Sequence, residues 1–138
     1  MRIAVLTETY PGEARVAATP DSVKALVKAG ASVSVEKGAG LSASVTDAAF
    51  EAAGAKCVTR AAAIKDGQLF LTVRRPDAAT LAKLPKGAVL VGLLDPHGDK
   101  DFAKACAEAG VNALAMEYTP RITRAQSMDA LSSQSNLA

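Results

Sequence analysis

Three features of the sequence predict an α/β fold, a three-layer sandwich built on a mostly parallel sheet. Short apolar runs alternate with segments of helical periodicity along the chain. The run at 88–94 is unbroken, as expected of a strand buried on both faces. Gly30, Gly54 and Gly110 each stop a helical segment just before the next apolar run. Such alternation places helices on both faces of a parallel sheet.

The elements follow in order. Residues 3–6 read as a strand. Thr19, Pro20 and Asp21 open a helix, with Thr19 able to cap it and Pro20 suited to its first turn. Val23, Leu26 and Val27 form its apolar face. Residues 32–35 alternate polar and apolar, as a strand does. Thr46 and Asp47 cap a second helix carrying Ala48, Ala49, Phe50 and Ala53, and residues 56–58 are a short strand. No element is assigned between Val58 and Leu69. Residues 69–73 form a strand closed by Pro76, which cannot continue a central ladder. Asp77 begins a short helix through Leu81. After the strand at 88–94, Asp99 opens a helix carrying Phe102, Ala103, Cys106 and Ala107. Residues 112–116 are the last strand, and a final helix is predicted to start near Ala125. The sheet is therefore expected to be flavodoxin-like in broad class.

Composition narrows the function. The chain has 138 residues, enough for one domain, of which 49% are hydrophobic and 22% charged, with a formal charge of +2. A balance so near neutral, with no basic run longer than Arg74-Arg75, argues against nucleic acid as a partner. Aromatic residues make up 4% of the chain and there is no Trp, so stacking platforms for bases are scarce. Cys57 and Cys106 sit in apolar surroundings and are expected to be buried free thiols. With His97 the single histidine, the spacing gives no zinc site. Met1-Arg2 leads directly into a strand, and no apolar stretch approaches the roughly 20 residues that span a bilayer. The expectation is a cytoplasmic chain that reaches any membrane through a partner.

The most informative segment follows the last strand. Ligands of parallel sheets sit outside the carboxyl ends of the strands, and Arg121 and Arg124 fall in a loop at that edge. In the helix expected to follow, Gln126, Asp129, Ser132, Ser133 and Asn136 share one arc of roughly 120°. Short amides, hydroxyls and one carboxylate suit directional hydrogen bonding to a polar ligand, or equally a solvated or helix-packing face. By contrast, Gly38-Ala39-Gly40-Leu41-Ser42-Ala43 matches a dinucleotide fingerprint in letters alone. Its next helix begins near Thr46-Asp47, so no helix N-terminus meets a pyrophosphate. Gly38 and Gly40 are expected to serve a tight loop.

The string Pro120-Arg121-Ile122-Thr123-Arg124-Ala125-Gln126-Ser127-Met128-Asp129, with Leu131-Ser132-Ser133-Gln134-Ser135-Asn136-Leu137-Ala138, closely resembles the signature of the soluble NAD(H)-binding component of proton-translocating transhydrogenases. Pro11-Gly12-Glu13-Ala14-Arg15-Val16-Ala17, Pro20, Gly38-Ala39-Gly40 and Thr46-Asp47 agree as well. Alanine dehydrogenases share the pattern more distantly. The resemblance implies a catalytic lobe of the formate/glycerate dehydrogenase type. Residues 1–124 would be an N-terminal α/β lobe and 125–138 the start of an interlobe helix, with the Rossmann lobe outside this chain.

It further implies hydride transfer from NADH to NADP⁺. NADP(H) would lie on a partner subunit, and proton movement would fall to membrane-embedded subunits. The parent would be a homodimer on the cytoplasmic side of the inner membrane. Arg121, Gln126 and Asp129 would be the catalytic residues, and Ile122, Thr123, Arg124 and Ser132 would complete the nicotinamide contacts. The chain by itself would be inactive. In alanine dehydrogenases an Arg and a Lys grip the substrate carboxylate; the matching residues here are Arg15 and Arg74. Asp95 stands where those enzymes have an acid/base histidine, which argues against amino-acid oxidation, and His97 does not align with it. Arg15 is equally open to a structural role holding the Glu13 loop, and Arg74 reads rather as a solvated or structural cation. A non-catalytic assembly module is the remaining alternative. Exposure of Met128, Leu131 and Leu137 would favour self-association.

Overall fold

The computed structural model describes residues 1–130 and Ser133. Six strands, β1 (Arg2–Val5), β2 (Ser32–Glu36), β3 (Lys56–Val58), β4 (Leu69–Arg74), β5 (Val89–Leu93) and β6 (Asn112–Ala115), form one sheet. Every neighbouring pair is parallel, and the order is β3-β2-β1-β4-β5-β6. Setting aside the short edge strand β3, the remaining five follow the flavodoxin-like order, with a switch point between β1 and β4.

The helices are α1 (Pro20–Lys28), α2 (Asp47–Ala52), α3 (Arg60–Asp66), α4 (Ala78–Leu81) and α5 (Lys100–Ala109). Each begins on the residue type that satisfies its free amides. Thr19, Thr46, Thr59, Asp77 and Asp99 all accept a backbone N–H of the first turn through their side chains. Each such cap contributes about 1 kcal/mol. Thr19 does so within a reciprocal box with Ser22. Gly110 ends α5 at φ 68°, a left-handed conformation that glycine adopts without strain.

Alternation along the strands splits the core into two layers. Ile3 and Val5 of β1 face α1 and α2, where they meet Val23, Val33, Val35 and Phe50. Ala4 and Leu6 face the opposite side, where α3, α4 and α5 bring Ile64, Leu81 and Cys106 against Phe70 and Leu90. The α1/α2 layer covers only half of its face. Along the row Val5, Leu71, Val91, Leu114, exposure rises from 0% at Val5 to 57% at Leu114.

Three expectations need correction. Helix α3 occupies the stretch left unassigned, nucleated by Thr59 ahead of three alanines. Cys57 is half-buried rather than buried, its Sγ set toward the Asp47 carbonyl at 3.5 Å. Both cysteines are free, and burial raises both thiol pKa values. The last helix does not start near Ala125. A 3-10 turn spans Thr123–Ala125, a turn follows through Met128, and Ala130 is the first helical residue. The Ser133 amide then bonds the Asp129 carbonyl at 3.0 Å. Ahead of it, the Met128 and Asp129 amides both bond the Ala125 carbonyl at 2.9 Å.

Candidate functional site

Because all six strands run the same way, their carboxyl ends share one edge, and the loops leaving β1, β4, β5 and β6 converge there. The loop after β1 is pinned by its acids. Glu8 accepts the backbone N–H groups of Val73 at 2.6 Å and Arg74 at 3.0 Å, at the end of β4. Burial pushes the Glu8 carboxyl pKa above the usual range against these two bonds. Glu13, whose side chain is 7% exposed, takes Arg15 in a two-pronged pair, Nε to Oε1 and Nη2 to Oε2, both at 2.7 Å. Arg74 Nε lies 3.5 Å from the same carboxylate, and its guanidinium stands 5.7 Å from the Tyr10 ring centre. The Arg15 hydrogen bonds hold the Glu13 pKa down to about 2. This pairing is the contact that a structural role for Arg15, holding the Glu13 loop, requires.

Beneath this loop lies a second network that the sequence pattern did not reveal. Arg60, at the start of α3, donates to Glu36 Oε2 at 2.7 Å, to Thr80 Oγ1 at 2.8 Å and to the Thr7 carbonyl at 3.3 Å. Glu36 also accepts the Thr7 amide at 2.9 Å. The only sequence signal was a Thr followed by a helix-forming run, which locates the helix but not the arginine's partners.

An open groove of about 480 Å³ runs along the edge, between the residues leading into α1, the 43–45 loop and the ends of β4 and β5. Its wall is mostly apolar, with Val16, Val45, Leu93 and Met116, while Arg15 stands at its rim and Ala130 closes one side. A smaller polar recess of about 180 Å³ adjoins it through Leu93 and includes Arg74, Arg75, Asp95 and Glu117. Arg75 Nη1 sits 3.1 Å from Asp99 and 3.9 Å from Asp95, as ion pairs without a well-angled hydrogen bond.

The residues singled out in the sequence are placed unevenly. Arg121, Ile122, Thr123 and Arg124 are all exposed on the loop after β6, at the carboxyl edge. Asp129 is buried at 5% exposure, next to the groove residue Ala130. Gln126 is exposed in the turn before the helix, and Asp129 stands just ahead of its first residue, Ala130. Ser132 and Asn136 lie outside the described residues, as do Leu131 and Leu137. Met128 is 57% exposed.

The glycine loop behaves as expected. The Gly38 amide donates to Asp47 at 2.9 Å. A side chain at Gly40 would meet the Val45 carbonyl at 2.6 Å and the Phe50 ring at 2.7 Å. Asp95 has φ 48° and accepts the Gly98 amide at 3.2 Å. Among the described residues no cluster of His, Cys, Asp and Glu could hold a metal ion, and no helix is long and apolar enough to cross a membrane.

The chain is similar to known proteins over its whole length. The family described as alanine dehydrogenase/PNT, N-terminal domain, matches residues 4–138. The NAD(P) transhydrogenase subunit alpha of Cereibacter sphaeroides is 40% identical over 139 residues, covering 100% of this chain and 27% of that protein. An alanine dehydrogenase of Mycobacterium tuberculosis is 36% identical over 118 residues, covering 85% of this chain and 32% of that protein. The crystal structure of transhydrogenase from Sinorhizobium meliloti superposes with a TM-score of 0.94 at 45% identity, over 99% of this chain and 41% of that one. The chain therefore spans less than half the length of these relatives. From the match at 4–138, carried by the same all-parallel sheet, the chain belongs to the alanine dehydrogenase/PNT N-terminal domain family.

Proposed function

We propose that this chain is the N-terminal lobe of the NAD(H)-binding component of a proton-translocating transhydrogenase, and that it supplies contacts to the nicotinamide end of the cofactor. The observation that carries the proposal is an apolar groove of about 480 Å³ at the carboxyl edge of the sheet, with Ala130, the neighbour of the buried Asp129, in its wall. That volume lies within the roughly 300–1,000 Å³ of ordinary ligand sites. An apolar wall with a few polar groups at its rim fits a flat ring bearing a carboxamide.

When bound, NADH supplies the hydride, so the protein needs neither a nucleophile nor a metal for that step. Its own residues must hold the ring at close approach and exclude water. Arg121 and Asp129 would fix the nicotinamide and its carboxamide, Gln126 would reach the ribose, and Ser132 would bond the carboxamide. Ile122, Thr123 and Arg124 complete the loop. Residues 1–124 form the lobe in this reading, and 125 onward begins the connection to a dinucleotide-binding lobe. NADP(H) would sit on a partner subunit. Membrane-embedded subunits would carry the protons and hold a homodimeric component at the cytoplasmic face.

A reading as an amino-acid dehydrogenase lobe is disfavoured at Asp95. Its carboxylate accepts the Gly98 amide and faces Arg75, which leaves it poorly suited to act as a mobile acid/base. The test is a fluorescence titration with NADH of this chain and of one extended through the next lobe. The extended chain should bind and the 138-residue chain should not. Arg121→Ala and Asp129→Asn in the extended chain should each weaken binding. Tight binding by the shorter chain alone, or silent substitutions at both positions, would sink the proposal.

A further inference from the structure

We infer that Tyr118 and His97 form a latch that positions the loop carrying Arg121; this rests on the nicotinamide reading above. The strand β6 ends in a 3-10 turn, Met116–Tyr118, and two consecutive residues of that turn reach back to the loop after β5. Glu117 accepts the Asp95 amide at 2.6 Å. Tyr118 Oη and His97 Nε2 share a hydrogen bond at 3.0 Å, with the rings edge-to-face and their centres 5.4 Å apart.

The loop on the receiving side is built as a fixed platform. Asp95 holds a left-handed φ of 48°, a conformation that costs a non-glycine residue energy and is retained here by its bond from the Gly98 amide. A side chain at Gly98 would collide with the Asp95 carboxylate. Arg75 ties the same loop to the end of β4 through Asp99. The ends of β4, β5 and β6 are thereby joined in sequence, and the last joint stands three residues before Arg121.

Core packing does not account for the pair. Tyr118 is 59% exposed and His97 is exposed as well. Their contact is therefore dispensable for folding but sets the take-off point of the loop. A hydrogen bond of this kind is worth about 0.5–1.5 kcal/mol, which corresponds to roughly a 2–10-fold change in affinity for whatever the loop holds.

The experiment uses the complete enzyme. NADH and ADP-ribose, which lacks the nicotinamide, are titrated against wild type, Tyr118→Phe, His97→Ala, His97→Gln and Arg121→Ala. The latch predicts that Tyr118→Phe and His97→Ala weaken NADH about 2–10-fold, leave ADP-ribose unchanged and lower the melting temperature by no more than about 2–4 °C. His97→Gln, which keeps a polar group for the tyrosine, should recover most of the affinity. Equal losses for both ligands, or a marked fall in melting temperature, would assign the pair a structural role and overturn the latch. Wild-type NADH affinity in Tyr118→Phe alongside a loss in Arg121→Ala would also overturn it. Silence at Arg121 as well would mean that the nicotinamide reading itself had failed.

Discussion

Replacing Arg60 by Met keeps the aliphatic stem and removes the charge, so it isolates the network that anchors the loop after β1. The substitution deletes donations to Glu36, Thr80 and the Thr7 carbonyl. Breaking a fully buried ion pair costs about 3–5 kcal/mol, and an exposed one about 0–1 kcal/mol. Here the side chains are 30% and 16% exposed, so water reaches both and the lower part of that span applies. Glu36 also keeps the Thr7 amide as a partner. Thr80, at 5% exposure, loses the donor to its hydroxyl, which costs about another 1 kcal/mol. The sum is about 2–3 kcal/mol, a large share of the roughly 5–15 kcal/mol that holds such a domain together. Denaturant unfolding should show a lower midpoint at constant slope. A double-mutant cycle with Glu36→Gln should give a coupling of about 1–2 kcal/mol. A loss under about 0.5 kcal/mol with no coupling would reduce the network to surface decoration and remove it as the anchor of the loop.

Two further predictions concern the same edge. Glu13 has its carboxyl pKa lowered from 4.5 to about 2 in the folded state, so its contribution is complete above about pH 4.5 and is lost as pH falls toward 2. The melting-temperature gap between wild type and Glu13→Gln should be constant above that range and close within it; a gap that widened on acidification would contradict the assignment. Gly40→Ala places a carbon 2.6 Å from the Val45 carbonyl, which is backbone and cannot swing aside. It should cost about 1–3 kcal/mol in chemical denaturation, and a neutral outcome would mean that the loop is not packed as described.

Much of the fold was legible because its signals are local. The threonine and aspartate caps at 19, 46, 77 and 99 and the glycine stops at 30, 54 and 110 are single-residue statements about helix ends, and all stand where the sequence put them. Helix α3 escaped because its Ala-rich run carries little amphipathic contrast; Ala63 and Ile64 alone are buried. The polar arc from Gln126 to Asn136 was drawn on one helix, whereas Gln126 lies in a turn ahead of Ala130, the first helical residue, and Ser132 and Asn136 lie outside the described residues. Periodicity cannot reveal such a break, because a turn of this kind leaves the spacing of polar residues intact. The tie of Glu8 to the amides of Val73 and Arg74 joins positions 65 and 66 residues apart, a relation no single-sequence pattern encodes. The loop at 121–126 was placed at the carboxyl edge from topology alone, because a parallel strand leaves its following loop nowhere else to go.

The most direct test of the proposed function is to assay the complete enzyme for two reactions side by side. One is hydride transfer from NADH to NADP⁺ or an analogue, and the other is alanine-dependent reduction of NAD⁺. A transhydrogenase lobe should give the first without the second, with Arg121→Ala depressing it. Alanine-dependent NADH formation without transhydrogenation would contradict that reading and return Arg15, Arg74 and Asp95 to the centre of the site.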